Sequence, residues 1–239
     1  MTHTTTLKAK REVAEGTMEF SFVRPEGFEY TAGQTMDITL IDPPETDAEG
    51  TSRTFSIASS PHEDVLKIAT RMRDTAFKRT LKGMAEGAAI TVDGPYGSFT
   101  LHENAYRPAV FLSGGIGVTP CHSIIGDATK RGLPNPIILF YSNRRPEDTV
   151  FLDELQAFAK ANPHFTLVAT MTDMEKSAQA WDGETGYIDA AMLARHIPAG
   201  VLPVYYLSGP QAMVTAMRTV LTASGVSNDD IRFEEFAGY

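Results

Sequence analysis

The hydrophobic rhythm of the chain changes once, near residue 107, and that change restricts the fold to two units of different kind. Before it, apolar and polar residues alternate. Met18, Phe20 and Phe22 flank Glu19 and Ser21; Met36, Ile38 and Leu40 repeat the pattern, as do Leu66, Ile68, Thr70 and Met72. A period of two buries one face of each strand and wets the other, as in an antiparallel barrel or sandwich. Turn chemistry separates the runs at Arg24-Pro25-Glu26-Gly27, Ala32-Gly33, Asp42-Pro43-Pro44 and Gly94-Pro95-Tyr96-Gly97. One helical stretch, 75–84, carries Phe77, Leu81 and Met84 on one face. After residue 107, unbroken apolar runs at 109–112, 136–141, 165–169 and 204–207 alternate with helical segments at 119–131, 148–161, 190–196 and 210–223. Continuous apolar runs read as parallel strands covered on both faces, and their alternation with helices predicts a doubly wound α/β unit. The expected division is an N-terminal antiparallel β-barrel, 1–105, followed by a parallel α/β unit, 106–239. The polar stretch 102–108 marks the boundary.

A length of 239 residues suffices for two such units. With 42% apolar and 21% charged residues the chain buries enough surface to order itself. Its longest strongly apolar run, 137–141, is five residues against the ~20 that cross a bilayer, and the N-terminus lacks the apolar core of a secretory signal. These features predict a cytoplasmic protein without membrane insertion. One cysteine, Cys121, excludes an internal disulfide, a four-cysteine zinc site and a built-in iron–sulfur cluster. A net charge of −9 argues against nucleic acid as a partner. The six histidines show no His-x-x-x-His spacing, and no Gly-x-Ser-x-Gly elbow is present. Neither a metal site nor hydrolytic chemistry is expected.

The clearest chemical signal is Ser113-Gly114-Gly115-Ile116-Gly117-Val118-Thr119-Pro120, between an apolar strand and a helix. Glycines let the backbone turn tightly and approach a phosphate, and the helix N-terminus offers free N–H groups. The spacing is not Gly-x-Gly-x-x-Gly, which disfavours an ordinary dehydrogenase dinucleotide fold. A second signal is Arg53-Thr54-Phe55-Ser56, where strand alternation puts Arg53 and Phe55 on one face and Ser56 on the other.

Taken in order, these motifs resemble the ferredoxin–NADP reductase superfamily. Arg53-Thr54-Phe55-Ser56 resembles its Arg-x-Tyr-Ser flavin motif, and residues 94–99 its Gly-Pro-x-Gly-x-Phe segment. Residues 114–120 resemble its nicotinamide-nucleotide loop, Ser208-Gly209-Pro210 with Met213 its late Gly-Pro-x-x-Met element, and Glu235-Phe236-Ala237-Gly238-Tyr239 its aromatic ending. The resemblance implies FAD, rather than FMN, as the cofactor and NADPH or NADH as the reductant. Arg53 then pairs with the flavin pyrophosphate, Phe55 packs on the isoalloxazine, and Ser56 bonds near flavin N5. Thr54, Gly94 and Gly97 belong to the same site. Ile68, Ala69, Thr70 and Arg71 run beside the flavin tail, and Thr80 meets phosphate at the helix start. On the nucleotide side the resemblance assigns Gly114, Gly115, Gly117, Thr119, Pro120, Gly209, Pro210 and Met213. Ser208 stands where many members carry a cysteine beside the nicotinamide. Cys121 reads as a buried hydrophobe and not as its substitute. A late carboxylate, Glu235 or its neighbour Glu234, lies near the nicotinamide, and Phe236 or Tyr239 shields the flavin, Tyr239 being preferred.

Asn143-Arg144-Arg145 ends the second strand of the α/β unit, where such folds recognise the adenosine ribose. The arginines suit a 2′-phosphate; Glu147 and Asp148 suit a ribose diol, or Asp148 caps the next helix. Electrons are expected to pass to a separate carrier protein, a ferredoxin, flavodoxin or oxygenase component. Free flavin or quinone as acceptor, and a flavin-binding docking subunit without turnover, are the alternatives. Residues 67–82 hold Lys67, Arg71, Arg73, Lys78, Arg79 and Lys82 against Asp74, a candidate docking island for an acidic carrier.

Overall fold

The structure, a computed structural model, describes residues 2–236. Six strands make the first sheet: β1 (His3–Ala14), β2 (Thr17–Val23), β3 (Thr35–Leu40), β4 (Ser52–Ser56), β5 (Val65–Arg71) and β6 (Ala89–Tyr96). They pair antiparallel in the order β4-β3-β6-β1-β2-β5. The chain leaving β4 bonds back to the other edge: Ala58 N–H donates to the Lys67 carbonyl at 2.8 Å and Lys67 N–H to Ser59 Oγ at 3.1 Å. These bonds close the sheet into a barrel filled by Phe20, Phe22, Met36, Ile38, Ile68 and Ile90. Helix α1 (Ala76–Gly83) plugs one end with Phe77 and Leu81, four residues apart and both buried.

Two strand features differ from the sequence expectation. β1 is central in hydrogen bonding, yet only Thr5 and Leu7 of its twelve residues are buried. Register shifts after Leu7 and Glu12 also break its period, so no alternation advertised it. β6 runs straight through Gly94-Pro95-Tyr96, pairing Tyr96 with Thr35; the turn comes only at Gly97, with φ +85°.

After a connection spanning 97–108, six parallel strands form the second sheet: β7 (Ala109–Gly114), β8 (Ile137–Asn143), β9 (Phe165–Met171), β10 (Glu184–Thr185), β11 (Val204–Pro210) and β12 (Ile231–Phe236), in the order β10-β9-β8-β7-β11-β12. Helices α2 (Val118–Arg131), α3 (Leu152–Ala161), α4 (Ala190–His196) and α5 (Gln211–Ala223) cover it. Phe111, Leu139 and Tyr206 pack with Cys121 and Ile124 of α2, while Val110, Leu112 and Leu207 pack with Val214 and Met217 of α5. Both faces are thus apolar, which is why these strands read as continuous runs. Helix α3 starts later than expected. A 3-10 turn, Pro146–Asp148, precedes it, and Phe151 at φ +61° interrupts the helical path. Asp148 therefore caps nothing; Arg145 donates to it at 2.9 and 3.0 Å.

Polar contacts clamp the two sheets together. His122 Nδ1 lies 2.8 Å from the Ala58 carbonyl and its Nε2 3.0 Å from Glu154, whose carboxyl is held down at about 2 chiefly by that ring. Ser123 Oγ donates to the Ser59 carbonyl at 2.6 Å, Arg145 to Glu15 at 2.7 Å, and Arg11 to Glu154 at 3.2 Å. Across this seam the carboxyl ends of the parallel strands face the barrel.

Candidate functional site

The site is organised by the turn after β7. Gly115 takes the left-handed conformation, φ +53°, to start a 3-10 turn, Gly115–Gly117, that feeds α2. No side chain caps α2, and its first turn holds no acid. The Val118 N–H, first in α2, is taken by the Gly115 carbonyl of that turn, so the head of the turn, Gly115 and Ile116, is the part that can approach an anion, with the helix dipole behind it. Gly114 and Gly117 are glycine for another reason. A Cβ on Gly114 would stand 2.4 Å from Met213 Sδ, and one on Gly117 2.4 Å from the Ser208 carbonyl. The Met213 side chain can swing aside, but the backbone of Ser208 and Gly209 at the end of β11 leaves Gly117 no room. Gly117→Ala should therefore lower stability by about 1–3 kcal/mol; a thermal midpoint equal to that of the unmodified protein would refute this packing.

A cavity of about 700 Å³ opens in front of the turn. Gly114, Gly115, Asn143, Arg144, Pro210 and Met213 line it, six residues expected at the nucleotide. The barrel contributes Arg71 and Thr17, and the far rim carries Thr172 and Tyr187, the ring of the latter mostly exposed. Asn143 is 6% exposed and stands in the cavity wall beside the Tyr141 hydroxyl, a buried amide that fits a polar ligand there. Gly117, Thr119 and Pro120 lie behind the turn; Thr119 is buried and donates to the Ile116 carbonyl at 3.1 Å. Gly209, φ +149°, packs on Gly114. These four shape the loop and are not part of the cavity lining.

The charges at the end of β8 separate by partner. Arg145 is held by Asp148 and Glu15, and Glu147 accepts from Ser177 Oγ at 2.9 and 3.0 Å and from Ala178 N–H at 2.9 Å. Arg144 is exposed, with no ion-pair partner among the described residues.

On the barrel, Arg53 and Phe55 share a face of β4. The Arg53 guanidinium lies 5.2 Å from the Phe77 ring centre, and the Phe55 and Phe77 rings are 5.9 Å apart. Thr54 points the other way and donates to Asp37. Ile68 belongs to the barrel core and Ala69 to the core between the sheets; Thr70 is buried, and Arg71 reaches the cavity, 4.0 Å from Asp148. A Cβ on Gly94 would meet Met36 Cα at 3.3 Å, while the Gly97 carbonyl accepts from Gln34 Nε2 at 3.2 Å. Thr80 is a correction. The helix begins one residue after Thr75, whose hydroxyl accepts from Lys78 N–H at 3.3 Å. Thr80 sits in the second turn with a buried, unpaired Oγ1, so Thr75 occupies the place expected for it.

The two sheets meet at Ser56 and Glu234. Ser56 Oγ lies 3.5 Å from Glu234 Oε2, and burial pushes that carboxyl up to about 7. Strand alternation decides between the two acids: Glu234 points in, whereas Glu235 is exposed, which corrects the choice of Glu235. Phe236 lies on the Glu234 face and is half-buried; Tyr239 lies outside the described residues. Ser208 is fully buried, its Oγ 3.3 Å from Cys121 Sγ. Burial holds that thiol up at about 12, so it is no nucleophile. Part of the basic island is paired within the chain. Arg79 pairs with Glu45 and Asp74, Lys67 pairs with Glu63, and Lys78 Nζ donates to the Arg71 carbonyl at 2.6 Å. Thr17, Thr172 and Tyr187 escaped the sequence reading because each reaches the cavity from a different loop or strand end, with no shared motif.

The profile of the oxidoreductase NAD-binding domain family matches residues 111–219. The reductase component of propane 2-monooxygenase from Rhodococcus jostii (strain RHA1) is 30% identical over 219 residues, covering 90% of this chain and 57% of that protein. Ferredoxin–NADP reductase B from Sorangium cellulosum (strain So ce56) is 28% identical over 247 residues, covering 96% of both. An Amycolatopsis cytochrome P450 reductase of known structure is 25% identical and superimposes with a TM-score of 0.83, over 99% of this chain and 70% of that one. The chain spans less than two thirds of the length of the propane monooxygenase reductase. In sequence and in fold the chain is similar to members of the ferredoxin–NADP reductase superfamily.

Proposed function

We propose that the chain is a flavin-dependent NAD(P)H reductase, with FAD on the barrel unit (1–105) and the nicotinamide nucleotide on the α/β unit (106–239). When bound, FAD takes a hydride from the nicotinamide and gives up its electrons to a separate carrier protein. The observation that carries this reading is the cavity between the sheets, where the glycine turn ahead of α2 and the buried Asn143 face Arg71 of the barrel. The relatives that are reductase components of oxygenases support an external protein acceptor. No helix among the described residues is long and apolar enough to cross a membrane, which fits a cytoplasmic setting.

The chain's own residues have distinct tasks. Arg53 offers a planar fork to the flavin pyrophosphate, and Phe55 packs on the ring. Gly115 and the start of α2 take the nucleotide's pyrophosphate. Pro210 and Met213 flank the nicotinamide half, and buried Ser208 fixes the floor. Glu234, its carboxyl pushed up to about 7 by burial, accepts from Ser56 Oγ at 3.5 Å beside the place assigned to flavin N5.

NADPH is the favoured nucleotide in this proposal, because the acids that would suit a ribose diol are already engaged and Arg144 is free. Reduction of a small dye by flavin-loaded protein tests both parts. NADPH should outperform NADH, and Arg144→Ala should raise the KM for NADPH about tenfold without changing that for NADH. Dye reduction with neither nucleotide would instead favour a flavin-binding docking subunit.

A further inference from the structure

The connection between β3 and β4 is far longer than the pairing of those strands requires. β3 ends at Leu40 and β4 begins at Ser52, whereas antiparallel neighbours are commonly joined by about two to five residues. The inserted loop, 41–51, carries Asp42, Glu45, Asp47 and Glu49 and no basic residue. In a hairpin with no other task, four acids on one loop would repel one another and face water. Here three of them pair with groups of the barrel while the loop itself stays exposed.

Asp47 is the centre of this arrangement. Its Oδ2 accepts the leading N–H of α1, from Ala76, at 3.1 Å, and its Oδ1 lies 3.5 Å from Arg53 Nη2. Glu49 Oε2 accepts from the same Arg53 nitrogen at 2.7 Å. The Glu49 carbonyl takes a bond from Arg53 Nη1 at 2.8 Å, and Glu45 pairs with Arg79 on the outer side of the helix. One carboxylate therefore bridges a guanidinium and a helix N-terminus while a second neutralises the guanidinium. A diphosphate bound between Arg53 and α1 would make the same pair of contacts with its own oxygens. A cavity of about 350 Å³, lined by Asp47, Glu49, Thr75, Ala76 and Arg79, lies between loop and helix, so the loop covers this end of the barrel without filling it.

From this juxtaposition we infer that the acidic loop is a built-in stand-in for the flavin pyrophosphate: Asp47 and Glu49 occupy Arg53 and the start of α1 until FAD displaces them. The inference rests on the assignment of Arg53 to the flavin site. It makes the loop a competitor of its own cofactor, one that stabilises the flavin-free protein and scales the apparent affinity for FAD by the fraction of molecules in which it is released. It also gives the loop a second position, released from Arg53, in the loaded protein.

A competitor and a merely structural loop respond oppositely to loss of the two charges. In the doubly neutralised variant D47N/E49Q the flavin-free protein should melt a few degrees lower, since the contacts to Arg53 and the helix dipole are weakened, while FAD binds at least about fivefold more tightly. Thermal midpoints of the apoprotein and titration of FAD by its fluorescence measure both. E49Q alone, which leaves the helix contact of Asp47 in place, should shift both quantities in the same directions by less and serves if the double variant does not fold. A lower midpoint with unchanged or weaker FAD binding would overturn the inference and leave the loop as structure. R53A separates this from the site assignment: if its FAD affinity equals that of the unmodified protein, Arg53 is not at the flavin and the inference falls with that reading.

Discussion

Arg53→Ala weakens FAD binding about ten- to a hundredfold, and Phe55→Tyr leaves it within about threefold, if Arg53 meets the flavin phosphates. A charge-assisted bond to phosphate contributes ~1.5–3 kcal/mol, and each 1.4 kcal/mol is a factor of about ten in affinity. Phe55 contributes ring contact, which tyrosine keeps. Arg53 is already preorganised: the Phe77 ring lies 5.2 Å from its guanidinium, and it is only 22% exposed. The alanine variant also loses the anchor of the acidic loop, so its apoprotein should be less stable as well. Equilibrium titration with FAD gives the dissociation constants. Equal values for Arg53→Ala and the unmodified protein would remove this residue from the site.

Glu234→Gln should stabilise the protein at pH 8 and slow its turnover. Burial raises the carboxyl from 4.5 to about 7, and the Ser56 hydroxyl only partly opposes this. The folded state thus binds the proton more tightly than the unfolded chain, so this group's contribution to stability falls as pH rises from about 4.5 to 7 and then levels off. A shift of that size corresponds to about 2–3 kcal/mol of penalty at pH 8 for a group mostly out of water. Glutamine carries no charge at any pH and removes the penalty. The variant should melt several degrees higher at pH 8 and show little difference at pH 4. Its rate of flavin reduction should fall and lose dependence on pH near 7. Identical melting differences at both pH values would show that the carboxyl is not strained by burial.

Elements with one periodicity throughout were legible. The core-facing positions of β2, β3 and β5 follow a period of two, although Glu19 and Ser21, on the face expected to be wet, are covered as well; β7, β8 and β11 open on continuous apolar runs, and α1 spaces Phe77 and Leu81 by one helical turn. β1 was not legible, because register shifts and mostly exposed side chains leave no period to find. The glycine turn was legible as a turn, but the reason for two of its glycines was not. They answer to Met213 and Ser208, about a hundred residues away, and that proximity exists only after β11 has been inserted beside β7. Motif order placed Arg53, Phe55, Pro210 and Met213, whereas choosing Glu234 over Glu235 required the direction of β12, which pairing with β11 sets. The basic island is less positive than its own window counts, because Glu45 and Glu63, which pair with Arg79 and Lys67, lie outside that window.

The central claim is that one chain holds both FAD and a nicotinamide nucleotide with their reactive rings in contact. Anaerobic titration of the FAD-loaded protein with NADPH, followed through the absorbance of the bound flavin, tests it most directly. Complete bleaching at about one equivalent of NADPH is the expected result, with Arg144→Ala requiring a large excess to bleach at the same rate. Flavin that binds through Arg53 yet keeps its absorbance with excess NADPH and with excess NADH would contradict it.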